Sequence, residues 1–361
     1  MTLVRGFPKK GDIILTTEAP LGYVAKLNRD DVGLAQRIIT LRGKSGTLLN
    51  EYLMYYLMSS IGQYQLQSRA SGTTVSGIKQ SEFRKVLISL PPLEEQKAIA
   101  AILSSLDEKI ELNNQMNETL EEMVQALFKR WFVDFEFPNE EGHPYKSSGG
   151  EMVESELGMI PSTWKVGNLS DISIKIFSGG TPKTTEDSYW NGNYCWLSSG
   201  ETRNRFILST EKSITELGVK KSSTKLANKY NTVIASAGQG NTRGQASLLL
   251  LDTYINQSLI SINPKMEFTF FSFLNIARRY EELRAISDSN SIRGSLTTKM
   301  IQKLSIVIPE LTILIKFNEI INPIIHQIEK NIEESIYLRD IRDILLPKLM
   351  SGEIRVSDFE S

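Results

Sequence analysis

Apolar positions recur at heptad spacing along two long stretches of the chain. After Leu90-Pro91-Pro92 come Ile99, Leu103, Leu106, Ile110, Asn113, Asn117, Leu120, Val124, Leu127 and Trp131, separated by alternating steps of four and three. That spacing puts them on one face of an α-helix, and it predicts a helix over 92–133 with two polar members in mid-seam. The prolines followed by Glu94 and Glu95 supply a start: a fixed φ, then acidic side chains at the positive end of the helix. A second seam, Phe317, Ile321, Ile324, Ile328, Asn331, Ser335, Leu338, Arg342, Leu345 and Leu349, has identical steps and predicts a helix over 310–351. At 1.5 Å rise per residue, the first is a rod of roughly 58 Å. Stripes this long need an apolar partner, and each matches the other. Pro323 interrupts the second seam and predicts a kink or a later start there; Pro347 loosens the last turn before Ser351-Gly352 closes it.

The second seam is the first displaced by 218 residues, with Asn113 falling on Asn331 and Pro91 on Pro309. The correspondence continues upstream. A polar loop (Gly72 to Gly77; Asn290 to Ser295) precedes a strand-like run (Val86 to Leu90; Ser305 to Ile308), and Tyr52 to Tyr64 falls on Phe270 to Glu282. With small shifts of offset, Asp12 to Thr16 falls on Asn231 to Ala235, and Leu34 to Arg37 on Ile255 to Ser258. Alternating apolar stretches with polar loops outside the rods predict mixed α/β modules. The chain therefore reads as module, rod, module, rod. The expected boundaries are 1–91, 92–133, a linker over 134–160, 161–309, 310–351, and a tail over 352–361. Residues 161–225 of the second module have no counterpart in the first, so the chain reads as shortened at its front relative to its own repeat.

Composition changes this picture in one respect. The 361 residues carry 41 Lys+Arg against 42 Asp+Glu, a formal net charge of -1. The balance hides a segregation. Residues 1–91 hold 12 cations and 6 anions, and residues 161–309 hold 18 and 11. Residues 92–160 hold 5 and 15, and residues 310–361 hold 6 and 10. Two basic modules alternate with two acidic rods, and clustered positive charge is what a phosphate backbone rewards. One Cys and two His build neither a Cys/His zinc site nor a disulfide framework. Cys195 reads as a small core filler and its setting as a reducing, cytoplasmic one; Trp190 and Trp196 read as packing anchors. There is no long apolar run and no secretory h-region, so neither a membrane span nor a membrane partner is expected.

Catalytic chemistry finds little support. Glu186-Asp187 is the nearest approach to a carboxylate pair in the basic modules, and its bland reading is an exposed loop. His143 lies in a polar linker and His326 on a rod, neither beside a nucleophile. Gly179-Gly180 and Gly238-Gln239-Gly240 lack the spacing to Lys-Ser/Thr that a phosphate loop requires. The expectation is no catalytic residue, no metal site and no cofactor.

The chain resembles the DNA-specificity subunit of a type I restriction-modification enzyme. The residues that carry the resemblance are Pro161 and Trp164, Gly179-Gly180-Thr181-Pro182, Tyr189-Trp190-Asn191-Gly192, Trp196, Leu90-Pro91-Pro92-Leu93-Glu94-Glu95-Gln96, and Leu346-Pro347-Lys348-Leu349-Met350-Ser351-Gly352. The resemblance implies an α+β fold of two target-recognition domains joined by two long helices that pair as an antiparallel coiled coil. It implies that each domain reads half of a split site in double-stranded DNA. The helices would space the domains and hold two methyltransferase subunits, with motor-nuclease subunits joining for cleavage. The subunit itself would supply the address and no catalysis. The first domain departs from the pattern: it has no counterpart of Gly179 to Trp196, so the second is the expected reader. The second rod departs as well, with Glu310-Leu311-Thr312 where the first has Leu93-Glu94-Glu95-Gln96.

Base and phosphate contacts call for donors on polar loops. The candidates in the second module are Lys183, Arg203, Arg205, Gln239, Asn241, Arg243 and Arg293. In the first they are Thr16, Thr17, Arg37, Thr73, Thr74 and Lys79. The alternative to a DNA reader is a coiled-coil scaffold that organises other proteins without DNA; a third reading pairs the chain with a second copy of itself.

Overall fold

A computed structural model describes residues 7–72, 75–238, 241–289 and 294–356. They form two compact units. Unit 1 takes the front of the chain to Asn114 together with the segment from Glu334 onward; unit 2 is Gln115–Glu333. Each long helix contributes to both.

Unit 1 opens with strands β1 (Ile13–Thr16), β2 (Val24–Lys26) and β3 (Ile38–Leu41), an antiparallel sheet in the order β2-β1-β3. Helices α1 (Asn50–Met58), α2 (Ser60–Ser68) and α3 (Gln80–Phe83) follow, then the long α4 (Leu93–Phe132). Alternation along β1 buries Ile13 and Leu15. Leu15 packs with Leu21, Leu66 and Ile78. A second cluster joins Tyr52, Tyr55 and Tyr56 of α1 to Ile99 and Leu103 of α4 and to Leu346, Leu349 and Met350 near the end of the chain.

Unit 2 begins within α4. It continues through β4 (Met152–Ser155), β5 (Gly158–Pro161), β6 (Lys165–Asn168), β7 (Ser173–Ser178), β8 (Trp190–Leu197), β9 (Phe206–Ile207), β10 (Lys212–Ile214), α5 (Glu216–Lys220) and β11 (Lys225–Ala227). Next come β12 (Thr232–Ala235), β13 (Ala246–Leu249), β14 (Thr253–Ile255), β15 (Leu259–Pro264), α6 (Thr269–Ala277), α7 (Tyr280–Asp288), α8 (Thr298–Gln302), β16 (Ser305–Ile308) and α9 (Leu311–Ser351). A five-stranded sheet, β7-β15-β12-β13-β9, lies beside a four-stranded one, β10-β8-β14-β11. One face of the five-stranded sheet packs Val233, Leu249 and Leu259 with Leu197 and Ile255 of the smaller sheet. Its other face packs Ile234, Leu248, Ile260 and Ile262 onto α6 and the long helices. Burial on both faces explains why β12, β13 and the first four residues of β15 are buried without alternation.

The seams pack as the spacing predicts. No named apolar seam residue is exposed: Leu106, Leu120, Leu127, Ile324, Leu338 and Leu345 are half-buried, and the rest are buried. The pairing is antiparallel in each unit. In unit 1 Asn113 meets Glu334 and Ser335, while Asp107 meets Arg342 at 2.7 Å. In unit 2 Asn117 meets Asn331, and Phe128, Trp131 and Phe132 pack on Phe317.

Three expectations are corrected. Pro323 neither delays nor interrupts α9, which runs from Leu311 to Ser351 with Pro323 exposed on its surface. Cys195 is half-buried rather than a core filler. Val86 to Leu90 is not a strand, although its counterpart Ser305–Ile308 is. The reason is pairing: β16 runs antiparallel to β6, and no described strand of unit 1 stands in that place.

Candidate nucleic-acid interface

The two modules build the same loop junction from different residues. In unit 1 the Thr17 N–H donates to the Arg37 carbonyl, and the Thr17 carbonyl accepts from the Ile78 N–H, at 2.8 and 2.9 Å. In unit 2 the Ser236 N–H donates to the Ser258 carbonyl, and the Ser236 carbonyl accepts from the Leu296 N–H, both at 2.8 Å. The adjoining β-hairpins close alike: Gly22 N–H donates to Thr16 and Gly244 N–H to Ala235. Both glycines hold φ near +90° (97° and 87°), where a side chain would be strained. Polar loops are thus drawn to one end of each sheet.

At the unit 1 junction, the Thr16 hydroxyl is spent on the Tyr23 N–H. Arg37 is exposed and ion-paired with Glu18 at 3.2 Å. Lys79 is exposed at the start of α3 and has no ion-pair partner among the described residues. Thr73 and Thr74 lie outside the described residues.

In unit 2 the candidates divide. Arg203 and Arg205 line a cavity of about 280 Å³ with Thr202, Gln245 and Tyr280. The Tyr280 hydroxyl donates to the Asn241 carbonyl at 2.8 Å, which brings the exposed Asn241 to the same place. Arg203 is ion-paired with Glu211 and Arg205 with Glu121 of α4. Both arginines are held by single carboxylates. The backbone carriers of the two arginines are fixed by buried Glu201, which accepts from the N–H groups of Ser198 and Glu211. Ser247 Oγ also donates to the Asn204 carbonyl at 2.7 Å.

Arg243 is placed differently. It is buried, ion-paired with Asp288, and donates to the Gly294 carbonyl at 3.4 Å. It ties the hairpin loop to the end of α7. Lys183 stands apart, exposed and ion-paired with Glu186, on the loop whose carbonyl receives Trp190 Nε1. Trp190 is half-buried and Trp196 buried; their rings meet edge to face at 5.0 Å, so the packing role expected of them holds. A Cβ at Gly179 would collide with the Ile255 carbonyl and one at Gly180 with Ser223, so these glycines serve close packing. Gln239 and Arg293 lie outside the described residues.

Sequence reasoning missed Arg278. It is exposed, unpaired among the described residues, and lines a cavity of about 420 Å³ with Arg205, Lys129, Glu121 and Phe273. The Arg278-Arg279 doublet was the available signal; Arg279 instead clamps Glu282 and the Ser305 carbonyl. No cluster of three metal-ligating side chains occurs among the described residues, and no described helix is long and apolar enough to cross a membrane.

The family profile described as "Type I restriction modification DNA specificity domain" matches residues 6–122 and 161–338. The chain belongs to that family. It is 30% identical over 359 residues to the Type I restriction enzyme MjaIX specificity subunit of Methanocaldococcus jannaschii, covering 98% of this chain and 80% of that protein. It is 24% identical over 405 residues to the HindI specificity subunit of Haemophilus influenzae, covering 96% and 87%. The fold is that of the crystal structure of the type I restriction-modification S subunit from M. genitalium, with a TM-score of 0.59 at 18% identity over 95% of this chain and 84% of that one. The chain is a type I specificity subunit, a non-catalytic class, and the expected fold class is observed.

Proposed function

We propose that this specificity subunit reads a bipartite site in double-stranded DNA and carries it to two methyltransferase subunits and, for cleavage, to motor-nuclease subunits. The observation that supports the bipartite reading is the loop junction built twice, once at the end of each sheet. In the second module the contact residues are Arg203, Arg205 and Asn241 around the Tyr280 hydroxyl, with Lys183, Gln239 and Arg293 as further candidates. In the first they are Thr17, Arg37 and Lys79. Arg243 holds its loop in place rather than touching DNA. Reading needs donors that can leave an internal partner for a base edge or phosphate, and solvent-accessible arginines paired to single carboxylates, Arg203 exposed and Arg205 half-buried, meet that need.

The test is methylation profiling of DNA from cells that carry this subunit with its methyltransferase. The expected motif has two specified segments separated by an unspecified spacer. A motif with one segment assigns reading to the second module alone. Absence of any sequence-selective methylation, together with footprints that do not differ between DNA sequences, overturns the DNA-reading assignment and favours the protein scaffold.

A further inference from the structure

Gln36 and Gln257 occupy one position of the repeated fold. In unit 1 Thr16 of β1 lies opposite Ile38 of β3, and in unit 2 Ala235 of β12 lies opposite Leu259 of β15. One residue further out, the Thr17 N–H donates to the Arg37 carbonyl and the Ser236 N–H to the Ser258 carbonyl, both at 2.8 Å. The register therefore sets Gln36 against Gln257, each directly before its junction residue. Both residues are exposed.

The positions around them differ. Ala35 and Arg37 stand in unit 1 where Asn256 and Ser258 stand in unit 2. The local backbone differs too: Asn256 Oδ1 accepts the Ser258 N–H at 3.0 Å, whereas Arg37 holds φ at 74°. Glutamine is common to two turns that share neither flanking residues nor local bonding. It is not among the residues that turn geometry favours, so the turn does not account for it.

The place of the pair in the fold points to contact with DNA. Ala235, opposite Leu259, also closes the neighbouring hairpin: its N–H donates to the Gln245 carbonyl at 3.0 Å and its carbonyl accepts from the Gly244 N–H at 2.8 Å. That hairpin carries Asn241, whose carbonyl takes the Tyr280 hydroxyl. Gln257 thus stands at the same end of the five-stranded sheet as Asn241. The Thr181 hydroxyl donates to Gln257 Oε1 and steadies the amide. An amide oxygen has two lone pairs and its nitrogen two N–H groups, so this amide can still accept and donate together. A phosphate only accepts. Adenine offers the N7 acceptor beside the N6 donor in the major groove, and a glutamine amide matches both at once.

We infer that Gln257 and Gln36 are paired base readers, each contacting the adenine of an A·T pair in the major groove of its own half-site. The inference rests on the DNA-reading role proposed above. The two modules differ in their other candidate contacts and share this one.

The test is methylation profiling of the full subunit with its methyltransferase, as wild type, Gln257→Ala and Gln36→Ala. Each variant should relax one position of one segment, an A·T pair in the wild-type motif, and leave the other segment and the spacer as they are. The relaxed segment should differ between the two variants. In binding assays with the assembled complex, replacing that adenine by unsubstituted purine, which lacks the N6 amino group, should weaken wild-type binding by about tenfold and Gln257→Ala binding far less. Gln257→Glu keeps Oε1 for Thr181 but loses the Nε2 donor, and it should relax the same position as Gln257→Ala. The urea midpoint should stay unchanged in all variants. A wild-type motif that both alanine variants reproduce overturns the inference and leaves the DNA-reading role standing. So does a relaxed position that is a G·C pair, relaxation in only one of the two variants, or loss of methylation at every site together with a lower urea midpoint. A wild type without sequence-selective methylation overturns both.

Discussion

At the scale of single residues, arginines that look alike in a polar loop do different work. Arg203 is an exposed member of an exposed ion pair, whereas Arg243 is a buried guanidinium paired with an exposed carboxylate. Exposed pairs contribute within about 0.5 kcal/mol, so Arg203→Ala should leave the urea midpoint nearly unchanged. It should weaken DNA binding and reduce the slope of log K against log salt by about one. Arg243→Ala should cost about 1–3 kcal/mol of unfolding free energy, because the buried guanidinium loses its contacts to Asp288 and the Gly294 carbonyl together. Tyr52 makes a separate prediction. Burial, reinforced by the nearby Tyr56 and Glu95, pushes its phenol up to about 12, and burial pushes Tyr55 up as well. A phenol raised above its unfolded value of about 10 stabilises the fold below that pH and loses the contribution as pH climbs to 12. The denaturation midpoint should therefore fall between about pH 10 and 12, and Tyr52→Phe should flatten that fall at a cost of about 1 kcal/mol near neutrality. Arg37 and Lys79 were legible as loop cations. The burial of Arg243 was not, since nothing in Asn-Thr-Arg-Gly tells that Asp288 folds back onto it.

At the scale of elements, the long helices were the most legible part of the molecule. Ten seam positions in each follow the period of an α-helix, and the polar members find one another. Asn113 Nδ2 donates to Glu334 Oε2 at 2.9 Å, and Asn331 Nδ2 donates to Asn117 Oδ1 at 2.8 Å. Buried amides in an apolar seam fix register at the expense of stability. Asn113→Leu with Asn331→Leu should hold or raise the melting temperature while broadening the species distribution seen by sedimentation velocity. A single sharp species would remove the register role. The short elements were harder. Val86 to Leu90 and Ser305 to Ile308 have the same apolar character, yet only the second is a strand, because a strand is defined by its neighbour. Gln96 shows the same limit. It occupies the helical position where the second rod has buried Leu314, yet it is buried too, accepting from Leu49 N–H and donating to the Thr47 and Pro91 carbonyls.

At the scale of the whole molecule, the near-zero net charge carries no information about DNA. The modules hold the cations and the rods the anions, and a phosphate backbone meets local charge, screened over about 10 Å in 0.1 M salt. Specific binding should therefore be strongly salt-dependent despite the formal charge of -1, which a titration between low and high salt checks directly. The repeat extends from sequence into hydrogen bonding. The Thr17 and Ser236 junctions and the Gly22 and Gly244 hairpins make the same backbone hydrogen bonds.

Periodicity and duplication are properties of the chain itself. The heptad spacing, the recurrence at 218 residues, the segregation of charge and the motif pattern determined by themselves two rods, two modules and the family. Partnership is not such a property. Which arginine is buried and which apolar run becomes a strand depend on groups brought from far along the chain. Those groups meet only when the backbone hydrogen bonds of each unit are closed. Tertiary structure alone decided the Tyr280 cluster and the brace at Arg243.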